Sequence, residues 1–235
     1  MKIKDNTLIS AICVAALAWA GAPAMYADSY YDRKVSLFEL LPIGPGDIVF
    51  VGNSITDGAE LQELFGMPNI KNRGITSDVI SGVDKRIAKT LENHPAKVFL
   101  LIGANDISHN LSAAQIADRY EALVKKMKTL SPGTKFYLQG IMPINNDFKR
   151  YKTMVGKEKV IPALNAKIKD IAKRYGCTYI STTEALQDPK TGKLKSAYTN
   201  DGLHLTGAGY RAWVKLLEPY VKEITWFSET GDTQL

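Results

Sequence analysis

The amino-acid sequence predicts an α/β protein, a parallel β-sheet sandwiched between layers of helices. Three observations carry this. Five apolar runs of strand length alternate with segments of helical periodicity. The runs are rich in β-branched residues and lack polar interruptions, as strands buried on both faces do. Most end in a polar or glycine-containing loop, the position where open α/β sheets bind ligands. At 235 residues the chain fits one domain.

The elements follow in order. Tyr31, Val35, Phe38 and Leu41 have helical spacing over 30–41, and the stretch ends at Pro42. The turn Pro42-Ile43-Gly44-Pro45-Gly46 leads into the first strand, Ile48 to Val51, which stops at Gly52-Asn53-Ser54. A short helix is expected from Asp57 to Phe65 and an extended segment from Asn69 to Gly74. The next helix starts at Ser77/Asp78, residue types suited to an N-cap, and carries Val79, Val83, Ile87 and Leu91. Lys97 to Ile102 is the third strand, ended by Gly103-Ala104-Asn105-Asp106. Ile116, Tyr120, Leu123, Val124 and Met127 form one helical face, broken at Ser131-Pro132-Gly133. Thr134 to Ile141 is the fourth strand, and 142–160 is a polar, basic loop at the active edge. A helix from Ile161 to Tyr175 leads to a fifth strand at Cys177 to Ser181. The segment 184–200 is turn-rich, and the last helix begins near Thr206 with Tyr210, Trp213, Val214, Leu217 and Val221 on one face.

The amino terminus predicts export to the periplasm or medium. Lys2 and Lys4 precede an apolar run from Leu8 to Ala20, and Ala22-Pro23-Ala24 has the small-residue spacing of a signal cleavage site. The run is short for a membrane span, so no stable membrane insertion is expected after cleavage. Cleavage would remove Cys13 and leave Cys177 alone, which excludes an intramolecular disulfide; Cys177 reads as a small buried hydrophobe. A net charge of +6 is spread over several segments, without the basic stripe and interleaved aromatics of a nucleic-acid binder. Neither a phosphate-cradling glycine loop nor a dinucleotide fingerprint occurs.

The candidate chemistry starts at Ser54, placed at the carboxyl end of the first strand. Taken alone it reads first as the cap of the next helix, with a nucleophile as the other reading. Only three histidines compete for the role of base. His94 precedes Pro95 at the opposite end of the sheet and reads as a surface residue. His109 reads as a solvated loop residue. His204 lies in Asn200-Asp201-Gly202-Leu203-His204, where a carboxylate three residues upstream can fix the imidazole tautomer and leave Nε2 to accept a proton. The alternative is an Asx-turn at Asp201-Gly202. Acyl transfer also needs donors for a developing oxyanion. Asn72-Arg73-Gly74 and Asn105, each at a strand end, offer a glycine N–H and an amide; taken individually, Gly74 and Gly103 read as ordinary strand-end turns and Asn105 as an Asx-turn. No cofactor or metal is called for, since no paired histidines or clustered cysteines occur.

Taken together and in order, Gly-Asn-Ser, Asn-Arg-Gly, Gly-Ala-Asn-Asp and Asp-Gly-Leu-His resemble the four sequence blocks of the SGNH, or GDSL, hydrolases over nearly the whole mature chain. The resemblance implies a flavodoxin-like three-layer sandwich with strand order 2-1-3-4-5. It implies Ser54 as nucleophile, Asp201 and His204 as the other triad members, and Ser54, Gly74 and Asn105 as oxyanion donors. Asn53 stands where the family name has an aspartate, and Thr76-Ser77 where an additional glycine is often seen.

The expected organisation is a signal peptide over 1–24, a helical lead-in over 25–46, the hydrolase domain over 47–224 and a loose tail over 225–235. The expected function is a serine esterase removing short acyl groups, acetyl foremost, from carbohydrate. The substrate is thus a small-molecule or glycan ester, with no nucleic-acid partner. A lipid or lysophospholipid acylhydrolase and an inactive glycan-binding protein are the alternatives. The cations Lys149, Arg150 and Lys152 read as a solvated loop, with contact to an acidic sugar as the other possibility.

Overall fold

The computed structural model describes residues 29–223; the expected signal segment and the expected tail lie outside the described residues. The chain runs α1 (Tyr30–Leu40), β1 (Ile48–Gly52), α2 (Ser54–Asp57), α3 (Leu61–Phe65), β2 (Ile70–Gly74), α4 (Ile80–Leu91), β3 (Lys97–Leu101) and α5 (Ala104–Ser108). It continues through α6 (Ala113–Leu130), β4 (Lys135–Gln139), α7 (Val160–Arg174), β5 (Thr178–Ile180), α8 (Thr183–Leu186) and α9 (Gly207–Lys222). The five strands form one parallel sheet in the order β2-β1-β3-β4-β5, as the family resemblance implied.

Strand alternation splits the core into two layers. On one face Val49, Val51, Val98, Leu100, Phe136 and Leu138 pack under α4, α6 and α7. On the other Ile48, Phe50, Phe99, Leu101 and Tyr137 pack under α3, α8 and α9. On this second face Phe50, Phe99 and Tyr137 stack across three adjacent strands, with centroids 4.7 and 4.4 Å apart, and Trp213 of α9 meets Phe50 edge-on at 6.3 Å. Such offset-stacked and edge-to-face contacts add about 0.5–1.5 kcal/mol each beyond area burial. Lys97, only 2% exposed, donates from Nζ to the carbonyls of Tyr220, Val221 and Glu223. A cation there satisfies the open carbonyls of the α9 terminus and meets its dipole, and desolvation lowers the Lys97 pKa.

Two local expectations are corrected. The helix expected over 57–65 is two short helices interrupted after Asp57. The Asn72 amide donates to the carbonyls of Thr56 (2.6 Å) and Ala59 (2.9 Å), groups that a continuous helix would pair internally. Nor does Ser77 or Asp78 cap α4. Ser77 has φ 67°, and the Asp78 carboxylate accepts from Arg86 Nε and Nη2 at 3.0 and 2.9 Å. The first N–H of α4, on Ile80, is taken instead by Asp106 Oδ2 from the β3 loop at 3.1 Å. The expected strand over 134–141 and that over 177–181 are each shorter at both ends, while 142–160 is irregular as expected, with single turns at Asn146–Phe148 and Lys152–Met154.

Candidate active site

The sheet register sets out the site. Gly52 of β1 pairs with Gly74 of β2 and with Leu101 of β3, so the loops after these three strands emerge side by side. The residue after β1, Asn53, caps α2 through its side chain, which accepts from the Ile55 N–H at 3.2 Å. The capping role open to Ser54 is therefore filled by its neighbour. Ser54 is the first helical residue, its N–H has no intrahelical acceptor, and its hydroxyl is available for other bonds.

Ser54 Oγ lies 2.8 Å from His204 Nε2, across 150 residues of chain. On the other side of the ring His204 Nδ1 lies 2.8 Å from Asp201 Oδ2. A carboxylate facing Nδ1 places the proton there, so the Ser54 hydroxyl donates to Nε2. The second oxygen of Asp201 accepts the backbone N–H groups of Leu203 and His204, both at 2.8 Å. Burial pushes the Asp201 pKa up, but the Leu203 N–H and the imidazole and N–H of His204 outweigh it and hold the carboxyl down to about 2. The group is a fixed anion aimed at the imidazole.

A cavity of about 210 Å³ opens at this point, lined by Ser54, Ser77, Asn105, Tyr151, Met154, Leu203 and His204, among others. Asn105 Nδ2 donates one proton to the Asp78 carbonyl at 2.8 Å; its second amide proton has no acceptor among the described residues. The Ser77 N–H likewise has none. A hydroxyl with an oriented base, beside unengaged N–H groups, can attack a carbonyl carbon and hold the resulting oxyanion.

Residues 50–212 match the GDSL-like lipase/acylhydrolase family. The chain belongs to that family. Platelet-activating factor acetylhydrolase IB subunit alpha2 of Homo sapiens is 26% identical over 188 residues, covering 76% of this chain and 77% of the relative. A Streptococcus pneumonia structure, provisionally described as a platelet activating factor, is 29% identical with TM-score 0.76, covering 82% of this chain and 92% of that one. A GDSL-like lipase from Bacteroides thetaiotaomicron shares the fold at TM-score 0.72 and 23% identity, covering 82% and 97% of the two chains.

Within this GDSL-like site the structure brings Ser54, Asn105, Asp201 and His204 together. It does not bring Gly74 to the cavity. The Gly74 N–H donates to Asn72 Oδ1 at 2.8 Å, and a Cβ on Gly74 would lie 2.2 Å from the Asp57 backbone N and 2.6 Å from the Thr56 carbonyl carbon. Glycine is needed there because the α2 backbone crosses directly over β2, a packing requirement that leaves no donor free for an anion. Of the second loop, Thr76 and Ser77 line the cavity; the Thr76 N–H is taken by Asp57, and that of Ser77 has no acceptor among the described residues.

The sequence reading also missed Tyr151. Its hydroxyl donates to Asp201 Oδ2 at 3.1 Å and lies 2.9 Å from His204 Nδ1, with the two rings edge-on at 5.5 Å. The only signal in the sequence was an aromatic residue within a polar, irregular loop. That loop is latched over the site. The Asn145 N–H donates to the Gly202 carbonyl, and Lys157 Nζ to the Ser108 carbonyl, at 2.7 and 2.8 Å. His94 and His109 are exposed and take no part; His94 Nδ1 lies 3.0 Å from Ser131 Oγ. Cys177 is a free thiol, partly buried, with its pKa pushed up by desolvation, as suits a small packed hydrophobe.

Proposed function

We propose that this protein is a serine esterase releasing short acyl groups, acetyl foremost, from carbohydrate esters. The observation that carries the reading is the continuous chain from Ser54 Oγ through His204 to Asp201, with 2.8 Å at each step. His204 Nε2 takes the Ser54 proton as Oγ attacks the ester carbonyl. The oxyanion forms beside the Ser54 and Ser77 N–H groups and the Asn105 amide. As the tetrahedral intermediate collapses, the imidazolium returns its proton to the leaving alkoxide and an acyl-serine remains. Water, deprotonated by the same imidazole, then releases the carboxylic acid and restores Ser54. Tyr151 stays protonated, since desolvation and the Asp201 charge raise its pKa; it orients the Asp201 carboxylate rather than exchanging protons.

Two features support the short acyl group. The cavity, about 210 Å³, is smaller than the roughly 300–1,000 Å³ typical of pockets for larger ligands, and Met154, 3% exposed, forms part of its wall. The curated relatives are named acetylhydrolases. The carbohydrate acceptor rests on the polar 142–160 loop and on the export pattern of residues 2–24. Acetate release from a panel of acetylated glycans tests it. On nitrophenyl esters, kcat/KM for acetyl is expected to exceed that for octanoyl by about tenfold or more, since a cavity of about 210 Å³ leaves little room for extra methylenes. Preference for octanoyl would replace this reading with the lipid acylhydrolase.

Asn105→Ala is expected to lower kcat by about 10²-fold, the cost of one oxyanion donor. Because Asn105 also holds the Asp78 carbonyl, thermal unfolding should be followed in parallel. A loss in kcat within a few-fold removes Asn105 from the oxyanion site.

A further inference from the structure

The amino-terminal helix α1 lies outside the segment matched to the family, 50–212, and none of its residues is buried. Cavities of about 340 and 430 Å³ lie along it, one lined by Phe38 and Leu41 against Lys85 and Lys89, the other by Tyr30 and Tyr31 against Ser77 and Gly82. It is therefore seated by a few polar contacts rather than by a shared core. Tyr31 OH donates to the Gly82 carbonyl at 2.7 Å, and the contacts of Tyr30 and Lys34 converge on one carboxylate. Asp57, three residues after Ser54, has a side chain only 7% exposed. Its Oδ1 accepts from Lys34 Nζ at 2.7 Å. Its Oδ2 accepts from Tyr30 OH at 2.8 Å, from the Thr76 N–H at 2.9 Å and from Thr76 Oγ1 at 2.7 Å.

Thr76 is the residue before Ser77. The backbone at Ser77 is left-handed, with φ 67°, a conformation disfavoured for a residue with a Cβ and kept only when its surroundings over-determine it. The loop is gripped on both sides: Thr76 by Asp57, and Asp78 by Arg86. Lys34 and Tyr30 supply counter-charge and a hydrogen bond that keep the Asp57 carboxylate ionised and turned inward. Without them a largely desolvated anion with only Thr76 as partner would turn toward water, releasing the loop.

We propose that α1 positions the oxyanion loop, Tyr30 and Lys34 acting through Asp57 and Thr76 to aim the Ser77 N–H at the reacting carbonyl. The inference rests on the esterase reading of the same site. Tyr30, Lys34 and Asp57 are positioning residues, since none lines the reaction cavity.

The test is a double-mutant cycle on the full chain with 4-nitrophenyl acetate as substrate. It uses Tyr30→Phe/Lys34→Met as one arm, Asp57→Asn as the other, and the triple variant. Because oxyanion contacts mature in the transition state, each arm is expected to lower kcat about tenfold, less than loss of a direct donor, with KM within about twofold. The triple variant should lose no more than either arm, and Lys34→Arg should retain wild-type kcat. Lys34→Met alone is the milder variant should the double one unfold; wild-type kcat in whichever α1 variant folds overturns the proposal, as do losses that multiply in the triple variant. Ser54→Ala, assayed alongside, separates the two readings. Hydrolysis surviving that change overturns the esterase reading itself, whereas an inactive Ser54→Ala beside a fully active α1 variant overturns only the tether.

Discussion

Ser54→Ala is expected to abolish esterase turnover, lowering kcat by about 10⁶-fold, the order found when the nucleophile of a triad is removed. The change removes one oxygen from a half-buried side chain. Asn53, and not Ser54, supplies the side-chain cap of α2, so no cap is lost. Thermal unfolding should therefore stay within a few degrees of wild type, and loss of activity cannot be charged to loss of fold. Burst kinetics with 4-nitrophenyl acetate and labelling by a fluorophosphonate read the same event. Wild type should take up one equivalent of label, and Ser54→Ala none. Stoichiometric labelling of the alanine variant at another residue would move the nucleophile elsewhere.

Asp201→Asn is expected to cost about 10⁴-fold in kcat/KM, and the hydrogen-bond inventory explains why so small a change is so costly. Asp201 Oδ1 accepts the N–H groups of Leu203 and His204. In an asparagine the single carbonyl oxygen satisfies those two donors, which turns the amide NH2 toward His204 Nδ1. The imidazole then accepts at Nδ1 and carries its proton on Nε2, where it can no longer take the Ser54 proton. A variant within tenfold of wild type would show that Asp201 does not set the tautomer.

The same carboxylate fixes a pH expectation. Its folded-state pKa is depressed to about 2 from an ordinary 3.8, so its stabilising effect is fully present above about pH 4 and lost as pH falls from there toward 2. Activity lost at milder acidity arises from another group.

The strand pattern was legible because a parallel strand covered on both faces must be apolar throughout. Val49 and Val51 serve one layer, Ile48 and Phe50 the other, and the run shows no polar residue in either register. The last three members of the site were legible for a local reason: Asp201 and His204 sit three residues apart in one turn, and Asn105 lies in the glycine-containing loop motif that follows the third apolar run. Gly74 was misread because a glycine at a strand end has two physical explanations, a close approach of backbone or an exposed donor. Only the position of α2 above it chooses the first. Tyr151 and Asp57 were illegible for a related reason, since each acts on partners 50 or more, or about 20, residues away through a side-chain oxygen.

What the amino-acid order determined by itself is the parallel α/β architecture, the membership in the GDSL-like family and the identity of the hydroxyl, imidazole, carboxylate and amide in the site. These follow from periodicity and from short motifs, which are properties of neighbouring residues. What only the tertiary structure decided is which backbone N–H groups beside the cavity remain unengaged, which residue caps the helix after β1, and how α1 and the 142–160 loop are tied to the site. Each of these depends on which donors remain unpaired once the segments have packed, and a hydrogen-bond inventory closes only in three dimensions.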